Sequence, residues 1–246
     1  MSVTLPIANA GLKYVNGLEI AKNAAKTISL ASGAARDSSN TNDITLSAAV
    51  TINGEVVGAN GVDAAAIAAS SMYAVYVIGD SRKYEATAGL LSLNASTPSL
   101  PAGYDMYRRV GWVLTDGTPN ILQFWQHGSG QERQYYYDVG ISELSGGSAT
   151  SYTAIDLATS VPPIATDVML DIAYTANGAT NKAEFLPFGS STANGIVRFG
   201  CGVAAAQVGS ACVPCRLDGS VPKIQYKVAA SDALTLLVTG YKDYLS

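Results

Sequence analysis

The sequence predicts an all-β protein: two β-sandwich or jelly-roll-like domains preceded by an extended N-terminal arm. Three observations predict it. Turn dipeptides punctuate the chain at Asn16-Gly17, Asn53-Gly54, Asn60-Gly61, Asp116-Gly117, Asn177-Gly178, Asn194-Gly195 and Asp218-Gly219, and such pairs tolerate the positive φ of tight hairpin turns. The segments between them are short, rich in β-branched and aromatic residues, and several alternate with period two. No long amphipathic helical pattern competes; only residues 62–71, with their run of alanines, can carry helix.

The elements follow in order. Residues 1–25 carry scattered hydrophobic residues without long runs, the pattern of an attachment arm that docks on a neighbour. The first β domain, residues 26–139, takes strands at 27–30, 43–52, 72–78, 86–93, 107–114 and 121–126. Met72-Tyr73-Ala74-Val75-Tyr76-Val77-Ile78 is apolar throughout, as a strand covered on both faces must be, so it belongs at a sheet centre. Near residues 139–151, Ile141-Ser142-Glu143-Leu144-Ser145-Gly146-Gly147-Ser148 breaks the strand pattern and marks a domain boundary. The second domain, residues 140–246, takes strands at 167–174, 183–188, 224–228 and 233–239. In the first of these Val168, Leu170, Ile172 and Tyr174 point one way and Met169, Asp171 and Ala173 the other, the signature of a half-buried strand.

Composition excludes several functions. The 246 residues hold 15 Lys+Arg against 19 Asp+Glu, a net charge of −4. That lacks the cationic excess needed to neutralise many phosphates, so no nucleic-acid partner is expected. Charged residues make up 14% of the chain and hydrophobic ones 48%, against about 25% charged in an average domain; part of so thinly charged an exterior should face another subunit. The start, Met1-Ser2-Val3-Thr4-Leu5-Pro6, has no basic region followed by an apolar core, and no run of about 18 apolar residues occurs, so neither Sec export nor membrane insertion is expected. Cys201, Cys212 and Cys215 lie in one short stretch, unlike a disulfide framework, which fits synthesis in a reducing cytoplasm.

Each constellation with chemical potential has a plainer reading. Gly79-Asp80-Ser81 follows a strand and looks like the nucleophile block of the SGNH esterases, but that family needs an Asp-x-x-His near the C-terminus. The one histidine, His127, has no such aspartate, so Ser81 lacks a base and the triplet reads as a hairpin turn. Cys212-Val213-Pro214-Cys215 has the spacing of a redox pair or half a zinc knuckle. The second ligand pair is missing, and Arg216-Leu217-Asp218-Gly219 leads into a turn rather than a helix, so buried structural thiols are expected. Residues 37–43 are rich in oxygen ligands but lack a calcium loop's glycine and distal glutamate. No catalytic residue, cofactor or metal is therefore assigned. The candidate interface or glycan-contact residues are the aromatic group Trp112, Trp125, Tyr135, Tyr136 and Tyr137, about half of which strand alternation should bury. Arg108-Arg109 places a cation on each face of a strand; the covered one needs a carboxylate, with Asp80 and Asp116 as candidates.

Two stretches carry a family resemblance. The first runs from Asn16-Gly17-Leu18 through Gly33-Ala34-Ala35-Arg36-Asp37-Ser38, Asn42-Asp43-Ile44, Gly58-Ala59-Asn60-Gly61-Val62-Asp63 and Tyr73-Ala74-Val75-Tyr76-Val77-Ile78 to Leu100-Pro101-Ala102-Gly103-Tyr104-Asp105, Tyr107-Arg108-Arg109-Val110-Gly111 and Thr115-Asp116. The second covers Val161-Pro162-Pro163, Leu186-Pro187-Phe188-Gly189 and Gly240-Tyr241-Lys242-Asp243. Together they resemble virion structural proteins of tailed bacteriophages, the tail-fibre or tail-associated β-rich group. The resemblance implies a non-enzymatic homo-oligomer, a trimer, assembled in the host bacterial cytoplasm and held in the virion by other proteins of the tail, neck or capsid. It carries over no catalytic residue, and the cysteine cluster departs from the group. Capsid decoration or a head fibre is the rival within the virion; a receptor module for a host surface glycan is the rival of another class.

Overall fold

The computed structural model describes residues 13–191, 197–200 and 202–245, with the side chains of 84 and 85 left aside, and every regular element among them is a strand. The first eleven are β1 (Val15–Gly17), β2 (Ile20–Ala24), β3 (Thr27–Leu30), β4 (Gly33–Arg36), β5 (Asp43–Leu46), β6 (Val50–Asn53), β7 (Gly61–Val62), β8 (Met72–Asp80), β9 (Lys83–Ser92), β10 (Met106–Leu114) and β11 (Phe124–His127). There follow β12 (Glu132–Gly147), β13 (Thr153–Asp156), β14 (Ala165–Thr175), β15 (Lys182–Pro187), β16 (Val197–Gly200), β17 (Ala206–Pro214), β18 (Arg216–Asp218), β19 (Val221–Lys227) and β20 (Ala233–Tyr244).

They form five sheets. Sheet I is β1-β4-β5, sheet II β2-β3-β6 and sheet III β10-β8-β9-β7; sheet IV is β11-β12-β20-β14-β17, and sheet V is β13-β19-β15-β16 with β18 beside β19. The apolar run 72–78 becomes β8, buried between β9 and β10 as expected. Sheets I and II cover sheet III where glycines make room: Ile44 sits against Gly79 and Ile52 against Gly89. Sheets IV and V share a sandwich core to which one gives Leu170, Ile172, Leu234 and Leu236 and the other Phe185, Ile224 and Tyr226, all buried.

Four expectations are corrected. The alanine run 62–71 forms no helix, because its backbone donors are committed elsewhere: Asp63 to the Leu91 carbonyl (2.9 Å), Ile67 to Gly54 (2.8 Å) and Ser70 to Asp116 (2.7 Å). Segment 43–52 divides into β5 and β6, which pair in different sheets. The boundary drawn at residue 139 falls inside β12, a 16-residue strand whose register against β20 shifts between Tyr136 and Ile141, Ser142 and Leu144, and Leu144 and Gly147. Its small and polar residues mark bulges that bend one strand around the molecule, not a linker. Of the attachment arm expected over residues 1–25, residues 1–12 lie outside the described residues. From Val15 the chain is paired strand, with β1 on β4 and β2 on β3. Val15, Leu18 and Ile20 reach the same core because the chain crosses between sheets at Gly17 and Leu18, both with positive φ (69° and 59°).

The two halves are joined by charge as well as by apolar contact. Neither Asp80 nor Asp116 serves the strand arginines: Asp80 accepts from Arg82 Nε (3.1 Å), and Asp116 from the amides of Thr118 and Asn120. The acid is Asp243, 1% exposed near the end of the last strand. Trp112 Nε1 donates to its Oδ2 at 3.0 Å, and Arg109, lying 5.1 Å over the Trp112 ring, faces its Oδ1 at 4.0 Å. Arg108 donates to the Leu245 carbonyl at 2.7 Å. Arg133, also buried, donates to the carbonyls of Gly128 (2.7 Å) and Gly17 (2.5 Å). Burial pushes the Asp243 carboxyl up from 3.8 to about 6, against the opposing pull of Arg109 and the Trp112 hydrogen bond.

Removing the acid strands buried guanidinium charge, so Asp243→Ala should lower unfolding free energy by about 3–5 kcal/mol in urea denaturation. The raised carboxyl also fixes a pH dependence. The folded state binds this proton more tightly than the unfolded chain, so Asp243 contributes most below the usual aspartate range and progressively less as pH rises through about 6. Wild-type protein should therefore gain melting temperature between pH 7 and pH 5 relative to Asp243→Asn, and a carboxyl-carbon NMR titration of Asp243 should have its midpoint near 6.

Candidate functional site

The site is the outer face of sheet IV, and strand register builds it. Trp125 on β11 pairs with Tyr136 on β12, Tyr136 with Gly240 on β20, Gly240 with Met169 on β14, and Met169 with Cys212 on the far edge strand β17. One apolar row thus crosses all five strands. Two residues along each strand, and hence on the same face, runs a polar row: His127, Gln134, Lys242 and Asp167.

The row is open and its rings are fixed. Trp125 is 49% exposed and Tyr136 37%. His127 packs edge-on against Tyr136, centroids 5.5 Å apart at 87°, and Gln134 Nε2 donates to the Tyr136 hydroxyl and to Met169 Sδ (3.4 Å). At the end of β20 the exposed Tyr244 donates to Gln131 Oε1 at 2.6 Å. Gly240 adds no side chain, and a Cβ there would strike the Tyr135 carbonyl oxygen, so β12 and β20 approach closely beneath the row.

Of the aromatic candidates only Trp125 and Tyr136 reach this face. Trp112 is committed to Asp243 in the core, and Tyr135 is buried in a stack on Tyr241 (4.7 Å between centroids, 16° between planes). Tyr137 is half-buried and donates to the Ser160 carbonyl at 2.7 Å. Period-two alternation explains the division: Tyr135 and Tyr137 turn inward and Tyr136 outward. Gln134, Met169, Gly240 and Lys242 escaped the sequence reading, because only register between distant strands brings them together. Alternation in 167–174 had already placed Met169 on the face opposite Val168 and Leu170.

The remaining motifs hold themselves together. Ser81 caps a turn, its Oγ donating to Asp105 Oδ2 (2.6 Å) and its amide to Oδ1 (2.7 Å). Asp37 accepts from Ser39 Oγ and from the amides of Thr41 and Asn42 within its own loop. Cys212 and Cys215 are free thiols, and burial first, then the charge of Asp167, raises both, Cys215 to about 12. Neither is a reactive thiolate. The expectation of buried thiols fails for Cys212, which is exposed on the outer face; Cys201 lies outside the described residues. Among the described residues no group of three or more His, Cys, Asp or Glu side chains is placed to hold a metal.

No protein-family profile matches the chain, and no curated protein matches it. Among solved structures, a carbohydrate-binding module from Cellvibrio mixtus lichenase 5A in complex with cellotriose is similar at 12% identity with a TM-score of 0.23, over 51% of this chain and 88% of that one. A similarity of that size carries no argument about fold or ligand. The geometry itself offers aromatic faces for stacking, flanked by amide, imidazole, ammonium and carboxylate groups for hydrogen bonding.

Close packing beneath the row yields a prediction. Gly240→Ala forces a methyl against backbone that cannot swing away, so it should cost about 1–3 kcal/mol in urea denaturation, whereas Thr239→Ala, beside it, should cost less.

Proposed function

We propose that this chain is a non-enzymatic structural component of a bacteriophage virion, a tail fibre or tail-associated protein that assembles as a homotrimer and docks on the tail or neck. The observation that carries the reading is the row that crosses sheet IV, exposed at Trp125, Tyr136 and Cys212, half-buried at Met169 and closed at Gly240. Aromatic residues and methionine are favoured at the centres of protein interfaces, and a contiguous apolar strip rimmed by polar groups marks a surface that is covered in use. The low charge of the chain and its resemblance to tail-associated virion proteins point the same way.

A second reading has its own support. Trp125 and Tyr136 are directly paired across strands, and His127 and Gln134 fix the Tyr136 ring. Such preordered rings beside Lys242 and Asp167 suit stacking on a sugar of the host surface.

Light scattering on the purified chain, combined with iodide quenching of tryptophan fluorescence, decides between them. For self-assembly the expected result is a trimer in which both tryptophans resist quenching; Trp125→Ala or Tyr136→Ala should yield a monomer that still melts cooperatively. A monomer whose Trp125 is quenched, and which binds host lipopolysaccharide saturably until Trp125→Ala removes the binding, would instead establish the glycan reading.

A further inference from the structure

Beside β8 and β10 lies a cavity of about 260 Å³ lined by Lys13, Ser38, Tyr76, Ser96, Arg108 and Arg109. Its depth and rim differ in character. Tyr76 and Arg108 are buried, 1% and 3% exposed, and the Arg109 side chain is 12% exposed, while Lys13, Ser38 and Ser96 are exposed. The Tyr76 hydroxyl is turned to the Asn94 carbonyl (2.8 Å), and the amide and hydroxyl of Ser38 both bond the Tyr107 carbonyl (2.8 Å each), which fixes the walls.

Charge around the cavity is unbalanced. Among the described residues Arg108 has no carboxylate within 4.0 Å, and its one hydrogen bond goes to the neutral Leu245 carbonyl. Arg109 reaches Asp243 only at 4.0 Å, too long for a hydrogen bond, and its buried Nε has no hydrogen-bond partner. Asp37, the acid whose field reaches Arg108, is already saturated by Ser39, Thr41 and Asn42. Burial and the neighbouring Arg109 both work against the Arg108 charge, yet an arginine stays protonated in proteins. The two arginines that line the cavity, with Lys13 beside them, thus share one nearby buried carboxylate, Asp243, less negative charge than two buried cations require.

We propose that this cavity is an oxyanion-binding site, taking one carboxylate or phosphate group of a small ligand. Arg108 and Arg109 supply planar N–H donors of the kind that grip such groups bidentately, and Lys13 draws the anion in, while the rim hydroxyls of Ser38 and Ser96 are already donated to the Tyr107 carbonyl and to Asn94 Oδ1. The site is separate from the outer face of sheet IV and does not depend on the virion reading.

Isothermal titration calorimetry of the full chain with inorganic phosphate, sodium glucuronate and, as neutral control, glucose tests it. The expected result is saturable one-to-one binding of phosphate or glucuronate that weakens with added salt, and no binding of glucose. Phosphate binding the tighter assigns the site to a phosphorylated ligand, and glucuronate the tighter to an acidic sugar; both sustain the proposal. Because Arg108→Gln removes a buried structural group, the deciding variants are Lys13→Glu and Ser96→Glu, which bring a carboxylate to the exposed rim. Each should weaken binding at least tenfold with an unchanged melting temperature, whereas Trp125→Ala should leave it unaltered. Absence of saturable binding for both anions, equal binding of glucose, or undiminished binding in both rim variants would overturn the proposal.

Discussion

A single buried carboxylate at the end of the last strand holds the molecule to its register. β20 serves both ends of one core along its length. Leu234, Leu236 and Val238 enter the sandwich with sheet V, while Tyr241, Asp243 and Leu245 enter the space beneath β10. An apolar side chain in place of Asp243 would leave the Trp112 indole N–H and the Arg109 guanidinium without their acceptor. The contact joins residues 131 positions apart, so sheet III gains its full set of polar partners only when the C-terminal strand is in place. Such non-local closure is paid in chain entropy and delays folding. In return the two halves share one continuous core instead of meeting across a soft interface.

The same register decides what the outer face presents. Stacking of Tyr135 on Tyr241 inside sheet IV requires Tyr136 to lie opposite Gly240 outside it, because neighbouring residues on each strand take opposite faces. Gly111 on β10 accommodates the inner layer, since a side chain there would come within 2.5 Å of the Tyr135 hydroxyl oxygen. Gln126, from the inner side of β11, accepts the Ile20 amide through Oε1 and donates to that tyrosine hydroxyl through Nε2, both at 2.7 Å. Slipping β12 by one residue would bury Tyr136 against Tyr241 and expose Tyr135. The aromatic row and the core thus have a common structural origin.

What sequence made legible follows from the range of the interactions. Local alternation and composition were enough for the all-β class, for β8 at a sheet centre and for the two faces of β14. They were misleading wherever a distant partner overrode the local pattern. The segment 62–71 gives up helix because distant carbonyls claim the amides of Asp63, Ile67 and Ser70; residues 141–147 read as a break because bulges resemble linkers in composition. Arg108-Arg109 announced a buried cation but not its acid, which lies in another half of the chain. Alternation could divide Tyr135, Tyr136 and Tyr137 between faces, but the neighbours Met169, Gly240 and Lys242 are set by pairing across β12, β20 and β14.

Placement of charge distinguishes the two candidate surfaces. A chain with few charged residues sends three arginines into its interior and compensates them with one acid and several carbonyl oxygens. Arg133 is absorbed by backbone carbonyls and becomes structural. Among the described residues Arg108 is met by the Leu245 carbonyl and Arg109 by Asp243 at 4.0 Å, and both line the cavity beside β10. The outer face of sheet IV, by contrast, sets Lys242 directly against Asp167 in its polar row and leaves aromatic surface beside them. The proposed anion site is therefore built from the interior of the fold, and the proposed interface or glycan face from its exterior. β20 supplies both, with Asp243 under the first and Gly240 and Lys242 within the second.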